Sequence, residues 1–323
     1  MKCSNSKNIP APNQKTKCIR CKNNSDIYLP YAGQHLCRRH FLELFEKRFK
    51  KTNREFSFIK KGDKICLALS GGKDSTTLLH LLSKFRKEHP FELFAITIDS
   101  GIHCDYWKKT MKIAKEHTKS LGIKHYLFSY KNEFGFTLNE FVDKLKIENP
   151  CSYCGVFRRY ILNKQARELG ATKLAIGHNL DDAVQTLILN LTRNEPLRLL
   201  RFNEHLLTSP KLVPRIKPLI RIPEEEVIEY AKFKNLNLEP KSCCPYSKYA
   251  MRNSARKVVD ELELMHPGSK MKMFNSFVSI QKLMKKGINE NEFSIGTCSK
   301  CSEPSSAKLC MCCRMLKPFG EKK

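Results

Sequence analysis

The stretch Leu67-Ala68-Leu69-Ser70-Gly71-Gly72-Lys73-Asp74-Ser75 decides how the rest of this 323-residue chain is read. The apolar run Ile65 to Leu69 predicts a buried strand, and a polar glycine pair ends it. Leu78, Leu79, Leu82 and Phe85 follow at the spacing of one helical face. Strand, glycine turn and helix start form the geometry that aims backbone N–H groups at an anion. Gly71 and Gly72 permit positive φ and a close approach of phosphate to the main chain, and Ser70, Lys73 and Ser75 add side-chain donors. A bare Gly-Gly pair would imply no more than a βα turn. The whole Ser-Gly-Gly-Lys-Asp-Ser hexapeptide in this setting points to phosphate binding.

The hexapeptide is not a Walker loop, which requires G-x-x-x-x-G-K-[ST]. It resembles the pyrophosphate loop (PP-loop) of the ATP pyrophosphatases. That resemblance implies cleavage between the α- and β-phosphates, adenylylation of a substrate and release of AMP.

Outward from the loop, strands alternate with helices. Strands are expected at 65–69, 91–98, 125–129 and 173–176, and helices at 75–87, 105–121, 156–169 and 181–191. This alternation predicts an α/β fold with a doubly wound parallel sheet. Ligands of such sheets bind beyond the carboxyl ends of the strands. Three polar strand ends should therefore converge: Ser70–Ser75, Asp99-Ser100-Gly101, and Gly177-His178-Asn179-Leu180-Asp181-Asp182. One carboxylate would suffice to cap the last helix. The second is a natural ligand for Mg²⁺ beside a triphosphate.

The formal net charge is +27 and unevenly spread. Residues 1–64 carry 16 Lys and Arg against 5 acids, residues 65–190 carry 18 against 13, and residues 191–323 carry 25 against 14. Basic flanks around a more balanced centre suit a polyanionic partner. No segment approaches the roughly 18 consecutive apolar residues of a membrane span, and the N-terminus lacks an apolar signal core. A soluble, cytoplasmic protein without a membrane partner is expected.

Fifteen cysteines in such a chain point to metal rather than to disulfides. Cys18-x-x-Cys21 and Cys37-x-x-His40 form one four-ligand set, and Cys298-x-x-Cys301 with Cys310-x-x-Cys313 forms another. Both suit tetrahedral structural Zn²⁺, leaving Cys312 as a bystander. A central pair, Cys151-Ser-Tyr-Cys154-Gly155, lies at a helix start where the dipole favours a thiolate. No second CxxC is near; the nearest candidates are Cys243 and Cys244. An odd set of three falls short of the four ligands wanted by zinc or by an ordinary iron–sulfur cluster.

In order along the chain, these motifs resemble those of the tRNA 2-thiouridine synthetases of the PP-loop superfamily. That group comprises the archaeal and eukaryotic cytosolic wobble-uridine enzymes and the bacterial 2-thioribothymidine enzyme, and the likeness runs from Cys18 to Cys313. It implies a tRNA sulfurtransferase that exchanges a uridine 2-oxygen for sulfur with consumption of ATP, with Mg²⁺ as the expected cofactor beside the triphosphate. Carried over by position, ATP is expected at Ala68, Leu69, Ser70, Gly71, Gly72, Lys73, Asp74, Ser75, Ile98, Arg158 and Gly177. Asp182, Arg158 and Lys73 are the expected catalytic groups. Cys151, Cys154 and Cys244 are expected to hold a [4Fe–4S] cluster, Pro245 favouring Cys244 over Cys243. The resemblance implies lysine in some relatives where this chain has Arg158; arginine keeps the charge but not the proton chemistry.

The implied organisation is a disordered tail over 1–17, a zinc module and linker helix over 18–60, and a PP-loop domain over 61–222. A helical, basic tRNA-binding region follows over 223–292, then the second zinc knuckle over 293–323. Expected partners are tRNA, a sulfur donor (a ubiquitin-like thiocarboxylate carrier or free sulfide) and a second copy of the chain. Rival readings are thiolation of a T-loop uridine or a cytidine, or an amide-forming PP-loop enzyme related to tRNA lysidine synthetase. Persulfide chemistry at Cys151 and Cys154 is the alternative to a cluster, and a zinc-module RNA-binding protein is the alternative to an enzyme.

Overall fold

The computed structural model describes residues 16–102, 104–195, 198–199, 209–239, 244–246, 251–285 and 295–320. All but the end of the expected disordered tail, and the whole of Cys243, lie outside the described residues. The centre is a five-stranded, all-parallel sheet of β3 (Lys64–Ala68), β4 (Glu92–Asp99), β5 (Lys124–Ser129), β6 (Lys173–Ala175) and β7 (Arg215–Ile216). Its order is β5-β4-β3-β6-β7. The chain thus winds outward from β3 to β5, then returns to the other side of β3. The reversal opens a crevice at the carboxyl ends of β3 and β6, where an open α/β sheet binds its ligand.

The alternation of side chains along a strand builds two cores. Ile65, Leu67, Leu93, Ala95 and Ala175 face one layer, while Cys66, Phe94, Ile96 and Leu174 face the other. The first layer holds α1 (Arg38–Glu55), α2 (Lys73–Phe85), α3 (Asp105–Ser120), α7 (Leu180–Thr192) and α8 (Glu224–Phe233). Helix α1 contributes Phe41, Phe45 and Phe49, which recur every four residues and are buried. The second layer holds α4 (Tyr130–Phe134), α5 (Leu138–Leu145) and α6 (Pro150–Glu168), on which the C-terminal helix α11 (Met311–Gly320) packs. Two further helices, α9 (Arg252–Met265) and α10 (Ser269–Lys285), lie against α7. Two-stranded ribbons β1 (Ile27–Leu29) with β2 (Gln34–Leu36), and β8 (Gly296–Thr297) with β9 (Pro304–Ser305), lie next in sequence to the terminal cysteine sets.

The sheet and its covering helices differ from the expectation in three places. Helix α6 begins at Pro150, six residues early, because Pro at the first helical position is pre-set for helix and needs no donor. Cys151 therefore sits in its first turn and Cys154 at the start of its second. Strand β7 is two residues between Pro214 and Pro218, a pattern tolerated only at a sheet edge. Helices α4 and α5 occupy a stretch for which no element was expected.

Candidate functional site

The loop after β3 is ordered by its own side chains. Ser70 N–H donates to Ser75 Oγ at 3.2 Å, and Ser75 Oγ–H donates to the Gly72 carbonyl at 3.1 Å. No side chain caps α2, so its first N–H groups remain free for an anion. Gly71 has φ +76° and passes so close to the Thr110 carbonyl that a Cβ would meet it at 1.9 Å. Ile98 is buried at the end of β4, where Leu69 N–H donates to the Ile96 carbonyl. Asp99, at the same strand end, is committed to structure: it accepts from Gly101 N–H at 2.8 Å and Trp107 Nε1–H at 3.0 Å.

The loop after β6 lies directly on the phosphate loop. A Cβ on Gly177 would stand 2.9 Å from Ser75 N and 3.0 Å from Asp74 C, both backbone atoms. Gly177→Ala should therefore displace the loop, raising the ATP concentration needed for half-saturation at least tenfold with little change in thermal stability; nucleotide titration and a melting curve check this.

Asn179 caps α7, its Oδ1 accepting from Asp182 N–H at 3.1 Å while Asp182 Oδ2 accepts from Asn179 N–H at 3.3 Å. Its amide nitrogen also donates to Asp74 Oδ1 at 3.0 Å, tying the two strand ends together. Lys73 Nζ pairs with Asp74 at 2.9 Å and with Glu224 Oε1 at 2.6 Å. Burial opposes its charge, but these two carboxylates hold the ammonium well above its ordinary range. Asp74 is pushed up by burial and by the nearby Asp182 and Glu224, although Lys73 opposes this. Glu224 escaped the sequence reading, since its role depends on where α8 starts.

A row of cations leads away from Asp182. His178 and Arg158 are solvent-accessible yet enclosed by protein, as groups lining a cleft are. Burial and the neighbouring Arg215 depress Lys217 to about 8. Burial and Arg159 depress Arg215 to about 10, and burial and Arg158 depress Arg159 in turn. Burial brings His178 down to about 4 against the pull of Asp182, leaving a neutral imidazole at physiological pH. Among the described residues neither Arg159 nor Arg215 has a carboxylate partner. A cationic cleft of this kind awaits an anion.

Its far end is the central thiol group. Arg158 donates to Cys154 Sγ at 3.1 Å, and Tyr130 Oη–H donates to the Cys154 carbonyl at 2.7 Å. Cys151 Sγ lies 3.2 Å from the Tyr246 carbonyl, beside a cavity of about 570 Å³ lined by Val142, Ile147, Glu148, Asn149, Pro150 and Tyr246. Despite the helix start, Cys151 is pushed up, first by burial and then by Cys244 and Cys154. Cys244 is also pushed up by burial and by Cys154. Thiols pushed up as Cys151 and Cys244 are would be relieved by a cationic metal centre. Arg158 stands with them rather than against the phosphate loop.

The terminal sets are tighter. Each has all four ligand atoms within 4.8 Å of one another, and among the described residues no other set of this kind occurs. Cys21 and Cys37 sulfurs are 3.8 Å apart, and those of Cys301 and Cys310 are 3.7 Å apart. A tetrahedral ion with Zn–S bonds of about 2.3 Å spaces its sulfurs at about 3.8 Å. In each set one thiol, Cys18 and Cys298, is lowered to about 6 because backbone N–H donors outweigh the effect of burial. Cys151, Cys154 and Cys244 do not meet that spacing.

Comparison with known proteins was consistent with this geometry. Residues 41–262 match the PP-loop domain family, and residues 17–42 match the N-terminal LIM domain of 2-thiouridine synthetase TtuA. The cytoplasmic tRNA 2-thiolation protein 1 of Oryza sativa is 32% identical over 310 residues, 95% of this chain and 84% of that protein. The tRNA-5-methyluridine(54) 2-sulfurtransferase of Pyrococcus horikoshii is 32% identical over 298 residues, 92% and 93% of the two chains. A solved structure, the U34-tRNA thiolase NcsA from Methanococcus maripaludis with its [4Fe-4S] cluster, superposes with a TM-score of 0.81 at 32% identity. That match covers 95% of this chain and 97% of the other. Since loop, thiol trio and N-terminal knuckle all fall within these matches, the chain belongs to the 2-thiouridine synthetase family of PP-loop enzymes.

Proposed function

We propose that this enzyme carries out ATP-dependent 2-thiolation of a tRNA uridine, with the wobble base as its target. The observation that carries the reading is the cation row, Arg158, Arg159, Arg215 and Lys217, running from the thiol trio to the phosphate loop. A nucleotide whose phosphates lie along it is held between the two chemistries it needs.

The 2-carbonyl of uridine is a poor electrophile and hydroxide a poor leaving group, so activation precedes substitution. The uridine O2 attacks the α-phosphorus of ATP and pyrophosphate departs. The loop N–H groups and Lys73 bind the β- and γ-phosphates as charge moves onto them. Asp182, at the helix start beside the loop, would hold Mg²⁺ against the same phosphates. A sulfur nucleophile then adds at C2, and AMP leaves with the original oxygen. A [4Fe–4S] cluster on Cys151, Cys154 and Cys244 would supply an iron without a protein ligand, able to bind the incoming sulfide. Arg158, which donates to Cys154 Sγ, favours an anionic sulfur nearby. The two terminal sets would hold structural Zn²⁺.

The wobble position is favoured by the U34 enzyme's likeness over almost the whole chain, whereas the relative acting at position 54 favours a T-loop target. A cytoplasmic location follows the plant relative's name, and no described helix is long and apolar enough to cross a membrane. The sulfur source would be a thiocarboxylate carrier or sulfide, and a homodimer the working form.

The test is incubation of anaerobically purified protein with ATP, sulfide and unmodified tRNA. AMP and pyrophosphate are expected in step with 2-thiouridine, located by nucleoside mass spectrometry of tRNA fragments. Binding of tRNA without AMP formation would reduce the protein to a binding module.

A further inference from the structure

Two adjacent carboxylates at the start of α7 are paired in opposite ways. Asp181 is sealed: its side chain is 2% exposed and its partner Lys270 only 3%. Glu225 and Asp260 crowd the same ammonium, and Asp181 Oδ2 accepts from Glu224 N–H at 2.7 Å. Separating that pair would strand a buried charge. Asp182 pairs with Arg252 at 2.8 Å, but here the side chains are 25% and 41% exposed. The other guanidinium nitrogen donates not to the second carboxylate oxygen but to the neutral Thr186 hydroxyl, at 3.1 Å. A solvent-facing pair joined by a single charged hydrogen bond costs little to exchange.

Arg252 opens α9, and Arg256 lies four residues on, on the same helical face. Arg256 holds Glu224 Oε2 at 2.9 Å, while the other oxygen of Glu224 holds Lys73. Helix α9 thus presents two guanidinium groups to the two carboxylates beside the phosphate loop. A triphosphate with a divalent cation upsets the first of these pairs from both sides. The cation attracts the Asp182 carboxylate, and the phosphate oxygens match the guanidinium fork.

We propose that Arg252 is a nucleotide-binding residue that exchanges partners, leaving Asp182 for the terminal phosphates of Mg²⁺–ATP. The inference rests on the reading of the loop as the ATP site. Arg256, still on Glu224, keeps the helix in place, so the exchange needs only the turning of one exposed side chain.

Calorimetric titration of the full chain with Mg²⁺–ATP, pyrophosphate and AMP tests this, using wild type, Arg252→Gln and Arg252→Lys, each with a melting curve. Arg252→Gln should weaken ATP and pyrophosphate binding by about tenfold or more, the weight of one charged hydrogen bond. AMP binding should change less than about twofold, since AMP lacks the phosphates concerned. Arg252→Lys should fall between, keeping the charge but not the fork. Equal losses for all three ligands would make Arg252 a helix anchor and overturn the proposal, as would ATP and pyrophosphate affinities unchanged in both variants. Wild-type protein that binds no ATP would instead refute the loop assignment on which the proposal stands.

Discussion

Asp182→Asn is expected to leave the protein folded and able to bind ATP while cutting AMP release by about 10²–10³-fold, the usual size of one lost electrostatic contribution to a transition state. The structure separates Asp182's two roles. As a cap it accepts Asn179 N–H, which an asparagine carbonyl can also do. As a charge it faces Asp74 and Glu224 across the phosphate loop, where an amide is a poor substitute ligand for Mg²⁺. Losing the exposed Arg252 pair should cost about 0–1 kcal/mol of stability. Asp181→Asn should do the reverse. It removes the nearest counter-ion of the buried Lys270, costing about 3–5 kcal/mol, so the protein should melt earlier with or without ATP. Pyrophosphate release, nucleotide titration and thermal melting on both variants check the pair. Wild-type turnover by Asp182→Asn would leave Asp182 as a cap alone.

That distinction could not be read from the Asp-Asp dipeptide. One member is sealed by Lys270 and the other faced by Arg252, and both partners lie far along the chain. What local periodicity governs was legible: Ile65 to Leu67 forms the fully buried centre of the sheet, and Leu78, Leu79 and Leu82 form the buried face of α2. Ligand sets whose members fall in short C-x-x-[CH] spacings were legible too, because a tight turn brings such pairs together. Strand β7 was not, because two residues between prolines carry no period and owe their pairing to an edge that β6 presents. Helix α5 did carry a signal: Thr137 and Glu140 form a reciprocal capping box, the T-x-x-E pattern that marks a helix start. Glu224 and the cation row are products of packing. They join β7, α6 and α8, segments whose proximity depends on the return of the chain across β3.

Replacing any one of Cys151, Cys154 or Cys244 by Ala should remove essentially all iron and acid-labile sulfide from anaerobically purified protein and reduce tRNA thiolation to background. The reason lies in the number and setting of the thiols. Cys151 and Cys244 are raised by burial and by their neighbours' charge, so as a group they ionise readily only around a cation. Two thiolates do not hold a cluster that three leave with one open iron, so each loss is complete rather than graded. Zinc should be unaffected, because each terminal set has four ligand atoms of its own within 4.8 Å of one another and shares none with the trio. Conversely, Cys37→Ala should release one zinc and lower the melting temperature while iron stays bound. Cys243→Ala serves as the control for the doublet: it should keep its iron, and loss of the cluster there but not in Cys244→Ala would assign the third ligand to Cys243. Iron-free protein that still thiolates tRNA would replace the cluster with a persulfide relay between Cys151 and Cys154. AMP formation separates the two halves of the reaction. If activation needs only the loop and Asp182, the cysteine variants should still consume ATP in the presence of tRNA, releasing AMP without 2-thiouridine. A cysteine variant that makes no AMP would instead show that the activated uridine forms only when the sulfur site is loaded.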